Sequence, residues 1–553
     1  MVSWFENKNE RSRKMRSYFS EKINENEVES LEYNPYYPFI KDNNSISYVT
    51  KDRSGATVRK WLSSKFDIVE TIFDEDKETI KYKLQIYTRF GINTVTIDKI
   101  TFTNRHIEEI SNYGINFDST ALNMLFKYVI ASEQNAKVTR QYTYCGWENN
   151  RRFRGMDDNY VGHMDLSRLE TSGRYMQYMN NFIKNSIGCQ LMLSISFSSA
   201  ISSLLEENLH TGTTIYHFFG DSSEGKTTGL QLAASVWGNP ETGQGTFLSW
   251  NATDNAMLAS LNGNHGIAVC FDESGAIRKR DYSNIIYCIS QGIDRSRLNK
   301  DSQKRPSKQW NTVVLSSGEN SLLDASSQNS GLRARVVEFM NLKITTDADH
   351  ADHLKEFVHR NYGILGRNFV DAILLEGKDN IPVLHAKCQE HLLSSVNSDK
   401  SIVKRLISVL SFILIAAYLA NKRMKLAIDC DAIADYLINH LKEIDRESLS
   451  LSSRAYDVIR EWISDHQYSI QKLGESDFPG ASAKMTKSNE IAIKSSVFQK
   501  LLNDNGFSDV KVVAQALRRD NLLHPEAPNG LQARIRFGNT KVQTYRIILK
   551  DKE

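Results

Sequence analysis

Apolar residues recur along this chain in more than one rhythm, and the changes of rhythm divide it. In KYKLQIYTRF and NTVTIDKITF polar and apolar positions alternate on either side of Gly91-Ile92-Asn93. A period of two marks half-buried strands, so this stretch predicts a small antiparallel sheet turning at those three residues, with helices before it. Residues 118–132 predict a helix, and residues 170–208 predict two. The second of these, GCQLMLSISFSSAISSLL, is apolar and rich in small residues, as suits a helix packed closely on a neighbour. Short apolar runs follow: IYHFF, residues 246–250, GIAVCF and TVVLSS. Each is short enough to be a buried strand, and helix-compatible segments lie between them, which gives an α/β class. Residues 345–450 are helical in pattern, with a break near Asn397-Ser398. The charged GASAKMTKSNE then predicts a linker or surface loop, and a boundary near 480. The last seventy or so residues predict two helices, SSVFQKLLNDNGF and DVKVVAQALRRDNLL. A hairpin of ARIRFG and VQTYRIIL joined by Asn539-Thr540-Lys541 completes a winged helix.

These patterns give a partition for a chain of 553 residues, too long for one core. We expect an N-terminal α+β domain at 1–120, a linker and helical segment at 121–210 and an α/β core at 211–345. A helical lid and helical region at 346–480 and the winged helix at 481–553 complete it. A hydrophobic fraction of 40% with 24% charged residues excludes a disordered chain. The net charge of +3 is near neutral, so any nucleic-acid surface must be local. The six cysteines, Cys145, Cys189, Cys270, Cys288, Cys388 and Cys430, show no metal-site spacing. The start MVSWFENKNERSRK lacks an apolar signal core, so a reduced cytoplasmic compartment is expected. The apolar stretch 406–420 is too short to span a bilayer and reads as a buried helix.

Chemistry enters after IYHFF. The next residues, Gly220, Asp221, Ser222, Ser223, Glu224, Gly225, Lys226, Thr227 and Thr228, spell the phosphate-loop pattern G-x-x-x-x-G-K-T between a strand and a helix. The two glycines let successive backbone N–H groups curl around a phosphate, and the helix start adds its positive end. Lys226 then reaches the outer phosphates, and the Thr227 hydroxyl is the natural Mg²⁺ ligand for a bound ATP. A Gly/Ser turn would share the letters, but not the strand and helix around them. GIAVCF ends on Asp272 and Glu273, one carboxylate to hold Mg²⁺ or its water shell and one to polarise the attacking water. TVVLSS ends near Ser317 and Asn320, either of which would suit a γ-phosphate sensor; a Ser-rich helix cap would look alike. In SGLRARVVEF, Arg333 and Arg335 stand two apart at the start of a β-like run and would share one face of a strand. One of them is expected to stabilise charge on the γ-phosphate, in cis or from the next subunit. The first helix after residue 345 is placed to close over the nucleotide.

Local basic clusters supply the nucleic-acid candidates. GIDRSRLNKDSQKRPSKQW concentrates Arg295, Arg297, Lys300, Lys304, Arg305 and Lys308 near the site. Such a loop would touch a backbone in a ring channel, or would be a solvated or subunit-contact loop. Lys511, Arg518 and Arg519 on the second C-terminal helix, with Arg534, Arg536, Lys541 and Arg546 on the wing, match a duplex-backbone arrangement. Winged helices also bind proteins. The aromatic and basic RQYTYCGWENNRRFRG would stack bases, although a strand with a buried Trp147 explains it more simply.

CGW at 145–147, GDSSEGKTT, FDES, LSSGENS and GLRARVVEF together resemble phage- and prophage-associated helicase-like proteins, including the replicative helicases of staphylococcal cassette elements. Those are similar to minichromosome-maintenance helicases. The resemblance covers about residues 140–400. It implies an AAA+ P-loop core, a hexameric ring hydrolysing ATP with Mg²⁺ at subunit interfaces, and DNA unwinding. Under it Lys226 holds phosphate, Thr227 and Asp272 the metal, and Glu273 the water. Ser317 or Asn320 is the sensor, and Arg333 or Arg335 acts in trans. The N-terminal region lacks the zinc-binding cysteine cluster of some such ring helicases.

The leading reading is therefore an ATP-driven helicase that replicates a mobile element, acting on single-stranded and forked DNA as a homo-oligomer with an element-encoded primase or initiator. The alternative is an AAA+ initiator, loader or remodelling ATPase that binds DNA without unwinding it. A primase is the third reading, and the chain lacks the clustered carboxylates that it needs.

Overall fold

The structure is a computed structural model, and it describes residues 20–22, 36–149, 152–222, 224–276, 281–294, 309–324, 330–447, 451–476, 480–507, 509–527 and 530–550. They fall into two compact units, one of residues 1–143 with 157–161 and one of residues 144–156 with 162–553.

The first unit is mostly strand. Alternation works as expected in Thr79–Thr88, where Tyr82, Leu84 and Ile86 are buried and the residues between them are not. This strand pairs antiparallel with Gly91–Asp98 on one side and Phe66–Asp74 on the other. The hairpin turns at Arg89 and Phe90, and Gly91, Ile92 and Asn93 lie in the second strand. Among the described residues, what precedes this sheet is not helical. Strands Phe39–Lys41, Ser45–Lys51 and Thr57–Ser64 form a second antiparallel sheet with Ser20–Lys22. The core also runs past residue 120. Leu125 and Tyr128 of the helix Leu122–Gln134 join Phe66 and Tyr82 in one cluster, and Lys137–Gln141 pairs parallel with Phe66–Asp74.

In the second unit the helix α1 (Ile187–Leu209) is buried almost throughout. Several of its buried serines are tolerated because their hydroxyls bond to nearby carbonyls: Ser194 to Gln190, Ser198 to Ile195, and Ser196 across to Ala233. Beside it lies a parallel sheet of β1 (Thr214–Phe219), β2 (Phe247–Ser249), β3 (Val269–Asp272), β4 (Val313–Gly318) and β5 (Val336–Met340), in spatial order β2-β3-β4-β1-β5. Helix α2 (Lys226–Ser235) leaves the end of β1 and packs on α1. The arginine pair does not sit in a strand. Residues 330–333 form a helical turn and β5 begins at Val336, because the apolar run VVEF, not RAR, fills the slot beside β1.

Helix α3 (Ala348–Arg360), capped by Asp347, packs against α2, and α4 (Ser401–Met424) packs against α1. Helices α1 and α4 have membrane-span length and hydropathy, and 94% and 72% of their apolar windows lie inside the fold.

The C-terminal core takes in α5 (Leu451–Asp465), whose Ala455 and Ile459 pack with Phe498 and Leu517. GASAKMTKSNE is no linker. It supplies β6 (Ala483–Lys487) and the turn into β7 (Glu490–Lys494), because Ala483, Ile491 and Ile493 point into this core while lysines face out. After the helices Ser495–Asp504 and α6 (Val510–Arg519) come β8 (Ala533–Phe537) and β9 (Thr540–Ile548). Phe537 pairs with Thr540, so the turn is Gly538-Asn539, and Thr540 and Lys541 belong to the strand. Gly538 takes the positive φ of 57° that such a tight turn requires.

Candidate active site

Three strand ends meet at a cleft of about 510 Å³. The loop after β1 contributes Ser222, Gly225, Lys226, Thr227 and Thr228. The end of β3 contributes Asp272, Glu273 and Gly275, and the end of β4 contributes Ser317, Gly318 and Glu319. A crevice at the carboxyl ends of parallel strands is where open α/β sheets bind ligands.

The loop has its shape because two glycines occupy places no side chain fits. Gly220 has φ of 127°, and a Cβ there would lie 1.8 Å from Asn341 Oδ1. Gly225 has φ of 79°, and its Cβ would lie 2.4 Å from Thr345 Oγ1. The bracing segment runs on from β5: Asn341 N–H donates to the Phe219 carbonyl at 2.9 Å and Ile344 N–H to the Glu224 carbonyl at 2.9 Å. The sequence pattern did not mark Asn341 or Thr345; their signal was only their place just after the fifth strand. Lys226 Nζ donates to the carbonyls of Gly220, at 2.9 Å, and Asp221, so the loop holds its own ammonium. Asp221 and Ser222 are exposed, Glu224 is half-buried, and Ser223 lies outside the described residues.

Thr227, Asp272 and Ser317 converge. Asp272 Oδ1 accepts from Thr227 Oγ1 at 3.3 Å and from the hydroxyl of the buried Ser317. Glu273 N–H donates to Ser317 Oγ at 3.2 Å, and the exposed Glu273 has φ of 63°. A glutamate in the left-handed region costs about 1 kcal/mol or more and persists only where neighbours impose it. Here the bond to Ser317 helps to fix it.

Of the two sensor candidates, only Ser317 lines the cleft. Asn320 contributes its carbonyl to a buried chain of bonds instead. Trp250 Nε1–H donates to Ser316 Oγ at 2.9 Å, and Ser316 lies 2.9 Å from His217 Nδ1. His217 Nε2 lies 2.9 Å from the Asn320 carbonyl. A carbonyl can only accept, so Nε2 carries the proton and Nδ1 accepts from Ser316. Burial drives the His217 pKa down to about 4, and the imidazole is neutral. Composition gave His217 no prominence; its signal was a titratable residue in the middle of an apolar strand.

The arginines are not among the cleft residues. The Arg335 guanidinium stacks 4.9 Å from the ring centre of Tyr287, on the helix Ser283–Gln291, and donates to the Gly331 carbonyl at 2.5 Å. Arg333 lies close enough to Arg454 on α5 to add to the depression of its pKa to about 10, which burial dominates.

Arg295, Arg297, Lys300, Lys304, Arg305 and Lys308 lie outside the described residues. In the C-terminal domain Lys511 and Arg519 are exposed, the latter paired with Asp520 at 3.3 Å, while Arg518 donates to the Gly530 carbonyl at 3.3 Å. Arg534, Arg536 and Lys541 are exposed, and Arg536 and Lys541 stand directly opposite each other across the hairpin. Arg546 is structural: it donates to the carbonyls of His524 and Pro525 at 3.1 and 3.0 Å. Trp147 is also structural, being buried with Nε1–H on the Ala200 carbonyl at 2.7 Å.

Residues 39–309 match the family described as domain of unknown function DUF927. Residues 450–552 match the Cch helix turn helix domain. Among solved structures, the one titled "SCCmec type IV Cch - active helicase" superposes with a TM-score of 0.71 at 22% identity, over 92% of this chain and 97% of that one. The fold is Cch-like. Together with the Cch-type C-terminal domain, this bears out the resemblance to the cassette helicases drawn from the sequence motifs. The C-terminal region of NrS-1 aligns at 10% identity over 87% of this chain and 96% of that one. Its TM-score of 0.24 is too low to carry an argument. No curated protein matches the chain.

Proposed function

We propose that the chain is an ATP hydrolase of the AAA+ P-loop class that drives a DNA helicase in the replication of a mobile element. The observation that carries this reading is the convergence of Thr227, Asp272, Ser317 and Glu273 on one cleft with Lys226. In it, Gly220 to Thr228 hold the phosphates, Lys226 leaves its loop carbonyls for the outer phosphates, and Glu273 orients water. Ser317 senses the γ-phosphate. The Thr227 hydroxyl and Asp272 carboxylate fit Mg²⁺, which takes oxygen donors and few protein ligands. Bound there, the ion would neutralise charge on the outer phosphates.

Arg333 and Arg335 stand outside the cleft residues, which fits an arginine delivered to the neighbouring subunit of a ring, a hexamer in this reading. Lys511, Arg519, Arg534, Arg536 and Lys541 are the DNA contacts proposed for the C-terminal domain, and the 295–308 loop those for the channel. The like-charged pair Arg536 and Lys541 supports an anionic partner, because facing cations destabilise a hairpin unless something offsets them. We place the protein in the cytoplasm, with an element-encoded primase or initiator as partner. The domain partition proposed is that of the sequence, with the N-terminal domain extended to about residue 143 to match its compact unit and the C-terminal domain drawn from about residue 450 to match its family region.

The test is ATP hydrolysis with and without single-stranded DNA, and strand displacement from a forked duplex. Wild type should do both and Lys226→Ala neither. Hydrolysis indifferent to DNA favours instead an initiator, loader or remodelling ATPase. Mass measurement with a slowly hydrolysed nucleotide reads the ring.

A further inference from the structure

Three neighbouring strands carry a polar row across the sheet. His217 of β1 stands opposite Ser316 of β4 on one side and Glu338 of β5 on the other. His217 and Ser316 are fully buried, and burial raises the Glu338 carboxyl pKa. Apolar residues would fill such a row without the desolvation cost of polar ones. What the polar residues do is grip the segment that follows β4. His217 Nε2–H donates to the Asn320 carbonyl at 2.9 Å. Glu338 accepts from Ser321 Oγ at 2.7 Å and from Leu323 N–H at 3.1 Å. The bonds fall on Asn320, Ser321 and Leu323, just beyond Ser317, the side chain joining Asp272 to the backbone of Glu273.

We propose that His217 and Glu338 are positioning residues, holding residues 318–323 so that the Ser317 hydroxyl stays between Asp272 and Glu273. The role rests on the ATPase reading above. Neither side chain is among the cleft residues, so nucleotide binding should be spared and turnover should not.

His217→Phe keeps a ring of similar size and removes both bonds. It should lower kcat about tenfold or more, since small misplacements of catalytic groups are costly. Binding of a slowly hydrolysed ATP analogue should stay within about twofold, which is under 0.5 kcal/mol. His217→Gln, which can still donate to Asn320, should recover part of the loss. Hydrogen exchange should rise across 318–323 in His217→Phe whether or not the protein hydrolyses ATP. Wild-type inactivity would thus count against the ATPase reading, while the exchange data still judge the clamp. If His217→Phe does not fold, Ser321→Ala replaces it, with the same separation of kcat from binding and a smaller loss. Unchanged exchange, kcat within twofold of wild type, or kcat and binding falling in parallel would each overturn the proposal.

Discussion

Glu273 and Ser317 are joined through the backbone: the Glu273 N–H donates to the Ser317 hydroxyl at 3.2 Å, at the point where the glutamate takes a positive φ of 63°. The bond turns the chain out of β3, so that Asp272 stays with Thr227 while Glu273 enters the cleft from the exposed side.

Glu273→Gln is expected to reduce ATP turnover about 100-fold or more, the usual scale for removing a catalytic base. Analogue binding should remain near wild type, because the phosphate contacts are proposed for other residues. Rapid-quench turnover and fluorescence titration of a labelled analogue measure the two separately. Equal losses in both would remove Glu273 from the chemistry.

The loop proposed to hold phosphate should fail for a steric reason. Gly225→Ala places a methyl 2.4 Å from Thr345 Oγ1, at φ of 79°. We expect loss of analogue binding and destabilisation of at least about 1 kcal/mol. Adding Thr345→Ala removes the two closest contacts, leaving the residue 345 Cβ at 3.1 Å and the backbone strain, so it should restore part of the binding. Thermal melts and titrations of the single and double variants test this.

On the wing, Arg534→Ala, Arg536→Ala and Lys541→Ala together should lower the slope of log affinity against log salt by about 2 to 3, near one unit per lost phosphate contact. Arg546→Ala should instead lower the melting temperature and leave that slope unchanged, since its guanidinium clips the His524 and Pro525 carbonyls and sits 3.7 Å from Glu490. Filter binding over a salt series distinguishes them.

Acid should destabilise the core before most carboxylates titrate. Burial holds His217 and His440 down to a pKa of about 4 from 6.5, so the folded state resists protons that the unfolded state takes up. The stability is complete above the unfolded pKa of 6.5 and drains as pH falls toward 4. Each group contributes at most about 1.4 kcal/mol per pH unit. His440 packs against Phe339 of β5 at 4.8 Å between rings, and His440→Phe should remove about one proton's share of the slope. Denaturant midpoints from pH 6.5 to 5 at constant salt supply the measurement.

Much of this protein was legible as spacing. The order of IYHFF, GKTT, FDES and TVVLSS gives strands, a phosphate-loop pattern and one strand end with two carboxylates, because helix and strand periods and glycine spacing are local properties. Local pattern failed where a partner decided the outcome. GASAKMTKSNE reads as a charged loop until Ala483 and Ile491 find the core under α5, and RARVV reads as one strand until β1 accepts only VVEFM. Nor could spacing decide between Ser317 and Asn320: strand pairing brings one hydroxyl to Asp272 and gives the other residue's carbonyl to His217. The sequence by itself determined which chemistry is proposed for the chain, since residue types and near-neighbour spacing set it. Only the tertiary structure decided which side chains share the cleft and which of them brace it, because those distances run between strands far apart in the chain.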